Sequence, residues 1–163
     1  MPSMGFCKID GIKGDSKIKG FEDQIEVLRF EHKVRQPASV SASGRGGLTI
    51  AQAEHSAFYI VHELDPASPL LLQAASDGRH IAKVEVTLCR QAGEEPIPYM
   101  KYAFEDVLVE SLEPAGDMTG DGLPEERVGF AYGKIEATHT GMDTTGKKTG
   151  QVVGSFDRRK GTK

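Results

Sequence analysis

The sequence predicts a mainly β fold: a closed or nearly closed antiparallel β-barrel with one short flanking α-helix and a long protruding loop. Three observations carry this. Several segments alternate apolar and polar residues and are separated by Gly and Pro turns, the pattern of an antiparallel barrel rather than of βαβ units. Only one stretch carries both start and stop signals for a helix. Finally, Arg35 to Gly47, R-Q-P-A-S-V-S-A-S-G-R-G-G, separates two strand-like segments and has almost nothing of its own to bury. With 163 residues, 38% hydrophobic and 27% charged, the chain suits a single core.

Phe6 to Ile9 reads as a first short strand, stopped by Asp10 and Gly11. The Gly-punctuated G-I-K-G-D-S-K-I-K-G leads into Gln24 to Val34, where Ile25 and Val27 share one parity and Leu28 and Phe30 the other. Such a segment is covered on both faces or carries a bulge. Leu48 to Glu63 is the return segment and ends in F-Y-I-V at Phe58 to Val61. In the helix, Ser68 fits the N-cap, Pro69 the first helical position and Gly78 the C-terminal close, with Leu70, Leu71, Ala74 and Ala75 as a narrow apolar face.

From Ala82 the alternation places Ala82, Val84, Val86 and Leu88 inward and Lys83, Glu85 and Thr87 outward. The turn Q-A-G-E-E-P-I-P joins this strand to Tyr99 to Leu112. There Met100, Tyr102 and Phe104 share a face, and the apolar parity switches to Val107 and Val109, which predicts a bulge or strong twist near Asp106. Glu125 to Thr138 alternates through Val128, Phe130 and Tyr132 before Gly133 resets it to Ile135 and Ala137. The barrel domain is expected over residues 1–140. Residues 141–163 are expected as a basic tail, solvated and partly frayed, with a last strand as its one regular option.

The Arg35 to Gly47 loop reads as an arm. Opened into two limbs of about six residues, it reaches roughly 20 Å at full extension, past its own domain and onto a neighbour. Assembly is therefore the leading question. The net charge of -4 excludes an obvious binder of nucleic acid or anionic membrane, although Lys147, Lys148, Arg158, Arg159, Lys160 and Lys163 make the tail positive. Cys7 and Cys89 lie inside apolar runs, not at metal spacing, and are expected as buried free thiols in a chain that folds in a reducing cytoplasm. The start, M-P-S-M-G-F-C-K-I-D-G, shows no apolar h-region or cleavage site, and no stretch approaches membrane-spanning length.

Three places imitate chemical motifs. G-M-D-T-T-G-K-K-T at Gly141 to Thr149 matches a phosphate-binding G-x-x-x-x-G-K through Lys147, but Lys148 stands where Ser or Thr holds magnesium. The following T-G-Q-V-V-G-S-F is no helix former, and the helix is part of that mechanism. D-M-T-G-D-G at Asp117 to Gly122 resembles the opening of a calcium loop. Its twelfth position is Val128, which lies in a strand segment, with Glu125 as a substitute carboxylate. The histidines at 32, 55, 62, 80 and 139 show no H-E-x-x-H spacing and adjoin no recognisable nucleophile motif. No catalytic, cofactor-binding or metal-ligating residues are therefore assigned, and no cofactor is expected.

Five ordered segments resemble the haemolysin-coregulated protein family, the tube subunits of the bacterial type VI secretion system. They are K-I-D-G-I-K-G-D-S at Lys8 to Ser16, I-E-V-L-R-F at Ile25 to Phe30, the Ser- and Gly-rich arm, S-P-L-L-L-Q-A-A-S-D-G-R-H-I at Ser68 to Ile81, and Y-A-F-E-D-V-L-V-E-S at Tyr102 to Ser111. The resemblance runs from about Phe6 to about Thr140, and the D-R-R-K-G-T-K ending falls outside it.

It implies a two-sheet barrel with a flanking helix and no enzymatic activity. It also implies hexameric rings that stack into a hollow tube, small effectors carried in the lumen, and sheath and spike proteins as further partners. The tube assembles in the cytoplasm and is secreted without a cleaved signal. In those terms Arg35, Gln36, Ser39, Val40, Ser41, Ser43, Gly44, Arg45, Gly46 and Gly47 form the ring-stacking loop. Leu70, Leu71, Gln73 and Ala74 of the helix belong to the lateral interface or the lumen wall. The competing readings are a ring that binds cargo without stacking, and a nucleotide- or calcium-dependent enzyme using Lys147 or Asp117 and Asp121.

Overall fold

The structure is a computed structural model that describes residues 2–40, 48–50 and 52–161. Its strands are β1 (Ser3–Ile9), β2 (Ile25–Val27), β3 (Arg29–Glu31), β4 (Val34–Arg35), β5 (Ala38–Val40), β6 (Leu48–Ile50), β7 (Glu54–His55), β8 (Phe58–Glu63), β9 (Ile81–Ala92), β10 (Glu95–Ala115), β11 (Glu125–Met142) and β12 (Lys148–Asp157). The one helix of the described residues, α1 (Ala67–Asp77), joins β8 to β9. The main sheet runs β2-β1-β9-β10-β11-β8-β3, with β12 also paired to β11.

The mixed parity of Gln24 to Val34 has a topological cause. Ile25–Val27 pairs with β1 and Arg29–Glu31 pairs with β8. Between them, the Leu28 amide donates to the Val61 carbonyl at 2.8 Å. One run of chain thus changes partners at Leu28 and brings the sheet round to near closure. The predicted antiparallel barrel is what the chain forms. Its interior is filled by Phe58, Phe104, Phe130, Ile60, Val84, Val86, Val107 and Val128.

The parity switch in β10 is also present, but its form differs from a bulge. Asp106 takes a positive φ of 55°, which Asp tolerates better than most residues. Pairing stays in register across it, Glu105 facing Lys134 and Val107 facing Tyr132. Buried positions on β9 switch at the same level, from Ile81 to Val84, so the inward residue is Ile81 and Ala82 is exposed, contrary to the strict alternation expected there. The register slips fall elsewhere, between Pro98 and Met100 and between Val109 and Ser111. The turn before β10 is tighter than its Pro content suggested. Gly93 and Glu94 alone make it, with Ala92 facing Glu95, and Pro96 and Pro98 sit where β10 extends past β11.

The helix starts earlier than its sequence signals indicated. Pro66, not Ser68, is the N-cap residue, and the Asp65 carboxylate accepts from the Ala67 amide at 2.8 Å. Gly78 closes the other end in the left-handed conformation, φ 64°, its amide donating to the Ala74 carbonyl. Ala67, Leu71 and Ala74 are the buried face, at i, i+4 and i+7.

Gly14 shows how tightly the 10–24 loop is laid on the barrel. A Cβ there would stand 2.5 Å from the Gln24 carbonyl oxygen, backbone that cannot swing away. Gly14→Ala is expected to destabilise the fold by roughly 1–3 kcal/mol, read as a lower thermal midpoint; an unchanged midpoint would show that the loop is free to lift.

Candidate assembly surfaces

The limbs of the arm are paired where they are described. Val34 and Arg35 face His55 and Glu54, and Ala38 to Val40 face Ile50 to Leu48, so the expected structureless connection contains two short ladders. Arg35 and Gln36 are exposed. Ser39 and Val40 lie in β5, while Ser41, Ser43, Gly44, Arg45, Gly46 and Gly47 fall outside the described residues.

At the arm's root, the Tyr132 hydroxyl lies 2.6 Å from His32 Nε2 and 3.0 Å from His55 Nδ1. A phenol has one proton to give, so one imidazole accepts it and the other donates to the oxygen. Burial, joined by mutual repulsion with His55 and by Arg158, holds the His32 pKa below its usual value. Burial and Arg158 do the same to His55, and burial pushes Tyr132 up to about 12. All three therefore stay neutral near pH 7, as the shared hydrogen bonds require. His55 also stacks on Phe156 at 5.0 Å. These contacts bind both limbs to β11 and β12, so the arm leaves the barrel from a fixed base.

Of the four helix positions expected at an interface, two face outward. Leu70 and Gln73 are exposed, whereas Leu71 and Ala74 are buried in the chain's own core. Leu70 opens onto an apolar groove of about 770 Å³ between the start of α1 and the 10–24 loop. A second concavity, about 510 Å³, lies across β1, β9, β10, β11 and β12 and is lined by Lys8, Lys83, Glu85, Lys101, Glu136 and Gln151 among others. Glu85 contacts Lys83 at 2.8 Å and Lys101 at 3.2 Å. Burial opposes its ionisation, but the two ammonium groups outweigh it and hold the carboxyl below its usual range.

The chemical look-alikes are turns. Asp143 accepts from the amides of Thr145 (2.8 Å) and Lys147 (2.9 Å), closing the β11–β12 hairpin with the amides a phosphate loop would present to its ligand. No helix follows; β12 does. Asp117 likewise accepts from the Thr119 amide at 2.9 Å. Among the described residues, no group of three or more His, Cys, Asp or Glu side chains is placed to hold a metal ion.

Cys7 and Cys89 are buried free thiols; burial raises both, Cys89 to about 11. Sequence reasoning missed the buried pair His62 and Glu126, with Nε2 and Oε1 3.1 Å apart, and the exposed Val152 and Val153 of β12. The signal for the first was present. His62 shares parity with Phe58 and Ile60, and Glu126 with Val128 and Phe130.

A closed antiparallel barrel with an anchored arm, one flanking helix and polar and apolar concavities on its outside defines a structural β-barrel subunit. Comparison with known proteins agrees with that class. The family described as "Type VI secretion system effector, Hcp" matches residues 6–139. The chain is 28% identical over 148 residues to Protein hcp1 of Pseudomonas aeruginosa, covering 91% of this chain and 90% of that one. It is 31% identical over 142 residues to the Major exported protein of the same organism, covering 82% and 78%. A solved type six secretion system protein superposes with a TM-score of 0.91 at 26% identity, covering 99% of both chains. The chain belongs to the Hcp family of type VI secretion tube proteins. That family is one of secreted structural proteins, not enzymes. Among the described residues, no helix is long and apolar enough to cross a membrane.

Proposed function

We propose that this protein is the inner-tube subunit of a type VI secretion system, closing into hexameric rings that stack into a hollow conduit. The observation that carries the reading is the arm anchored through His32 and His55 to Tyr132, because a projecting element serves stacking only if its root is fixed. Each subunit needs two heterologous contacts, a lateral one that closes and an axial one that does not. The arm supplies the axial contact, with Arg35 and Arg45 as directional donors and Gly44, Gly46 and Gly47 allowing backbones to approach. Residues 1–140 supply the barrel unit, and residues 141–163 extend its sheet through β12.

The polar concavity across β1 to β12 faces the lumen, where its mixed Lys and Glu lining suits small folded effectors without gripping them. Sheath proteins surround the tube and a spike closes its tip. Assembly takes place in the cytoplasm, and export occurs as the tube is driven out.

Deleting Ser39 to Gly46 tests the arm. The expected result is a folded protein whose rings, six times the 17.6 kDa chain by light scattering, no longer stack under electron microscopy. Stacks of normal length from that variant would refute the arm's role. Rings of the intact protein that never stack, yet shield a small partner from proteolysis, would favour the cargo-binding reading.

A further inference from the structure

Of the five histidines, His62 has Glu126 at 3.1 Å and Asp65 at 3.6 Å, and His80 has Asp106 at 2.9 Å, so each can carry a proton beside a carboxylate. His32 and His55, the two half-buried at the arm's root, make no ion pair among the described residues. The elements packed against them bring neutral rings and a cation. β11 supplies Tyr132, β8 supplies Phe58 at 5.4 Å from His32, and β12 supplies Phe156 at 5.0 Å from His55. Arg158, just beyond β12, sets its guanidinium 5.2 Å from the Tyr132 ring. The carboxylates at hand are committed elsewhere. Glu31, next to His32 in the chain, contacts Arg127 at 3.1 Å, and Asp157 contacts Arg159 at 3.0 Å, where Glu105 and Asp106 also lie within 4.0 Å. Glu54 lines the same open hollow as His55, Tyr132 and Arg158, about 580 Å³, but pairs with neither imidazole, and Lys33 beside His32 adds only positive charge. The hollow gives water a path to both rings.

The shared hydroxyl works for neutral imidazoles alone. Protonating the accepting ring leaves two donors aimed at one oxygen, and the hydroxyl proton of Tyr132, a residue only 4% exposed, loses its acceptor. A second proton gathers two imidazoliums and a guanidinium around that phenol.

We propose that His32, His55 and Tyr132 form an acid-released latch: protonation of the two imidazoles frees the arm's root from the barrel and separates stacked rings while each barrel stays folded. Burial is the largest cause that depresses both histidines below 6.5 in the closed root, so a released root binds up to two more protons than a closed one. Above 6.5 the latch holds in full. Below it, released molecules gain on closed ones by up to about tenfold per histidine for each pH unit, until the closed-state values are reached. The separation of rings rests on the reading of the arm as the axial contact.

The test follows exchange protection of the Ser56 amide, which donates to the Lys33 carbonyl at 2.9 Å, in the full chain between about pH 7 and pH 5. The adjoining β4–β7 ladder has two residue pairs, Val34 with His55 and Arg35 with Glu54, too few to persist once the root is free. Protection, corrected for intrinsic exchange at each pH, should fall by up to about a hundredfold per pH unit in the wild type and up to about tenfold in His32→Gln or His55→Gln. In the double variant, whose amides still donate and accept, it should not fall with pH. Amides of β9 and β10 should keep their protection throughout. The slope is what is read, so a variant with a weaker root at every pH still decides the matter. A flat wild type, a fall that survives in the double variant, or a parallel loss in β9 and β10 would overturn the latch. Under electron microscopy, wild-type stacks should separate into rings at about pH 5 and those of the double variant should not. The expected slopes with wild-type stacks intact in acid would keep the latch and overturn the arm as the axial contact.

Discussion

Phe58→Ala is expected to cost about 4 kcal/mol of stability, the middle of the range for a fully buried aromatic ring. Phe58 is wholly buried at the start of β8, where the chain leaves the arm and enters the barrel. Its ring stands 4.8 Å from that of Phe104, 5.2 Å from Tyr102, 5.4 Å from His32 and 5.8 Å from Phe30, across the strands that complete the closure. Truncation removes the transfer free energy of the ring and leaves a cavity that those neighbours cannot fill, because His32 is held by Tyr132 and Phe104 by its paired strands. Urea unfolding of the variant should show a lower midpoint with an unchanged slope. A loss below about 1 kcal/mol would mean that the cluster relaxes into the gap, contrary to the packing described here. The consequence reaches assembly, since loosening His32 also loosens the arm's root.

The closure at Leu28 illustrates what a sequence shows and what it withholds. Apolar residues on both parities of Gln24 to Val34 signalled that something changes within the segment, but the choice between double coverage, a bulge and a change of partner depends on β1 and β8, which are remote in sequence. The Asp106 twist was legible because Phe104, Val107 and Val109 record it locally; that β11 switches at the same level to keep register follows only from pairing. β12 falls in the tail expected as solvated and partly frayed, with a last strand as its one regular option, and it is that strand which forms. Gly150 and Gly154 dilute its alternation and the flanking lysines suggest a solvated segment, so ten residues of strand were hidden behind local signals that favour coil. Arg35 and Gln36 of the arm were legible as exposed positions, and Leu70 as a position on a short capped helix, because a polar loop and such a helix stand out in the sequence. Leu70 and Leu71 are neighbours about 100° apart on the helix, so only the packing of α1 against the barrel decides that Leu71 and Ala74, with Ala67, face the core while Leu70 faces out.

The second large effect concerns His62, buried with Glu126 on one side and Asp65 on the other. Nε2 lies 3.1 Å from Glu126 Oε1, and Nδ1 lies 3.6 Å from Asp65 Oδ2. Burial disfavours the imidazolium, but the two carboxylates outweigh it and the His62 pKa is raised. Glu126→Ala leaves His62 buried with one distant carboxylate and an empty space beside it, and should cost roughly 3 kcal/mol. The pH dependence has a definite sign. A raised folded pKa means that the contribution of His62 is fully present below its unfolded value near 6.5 and is lost as pH rises through the higher folded value. His32 and His55 act in the opposite sense: their depressed pKa values give stability above 6.5 that is lost on acidification. The whole protein therefore blends two opposed trends, and the comparison that isolates His62 is wild type against Glu126→Gln. Between about pH 5 and 8, the stability advantage of wild type over Glu126→Gln should shrink as pH rises. Parallel curves would show that His62 is neutral throughout, held by a hydrogen bond alone and not by charge.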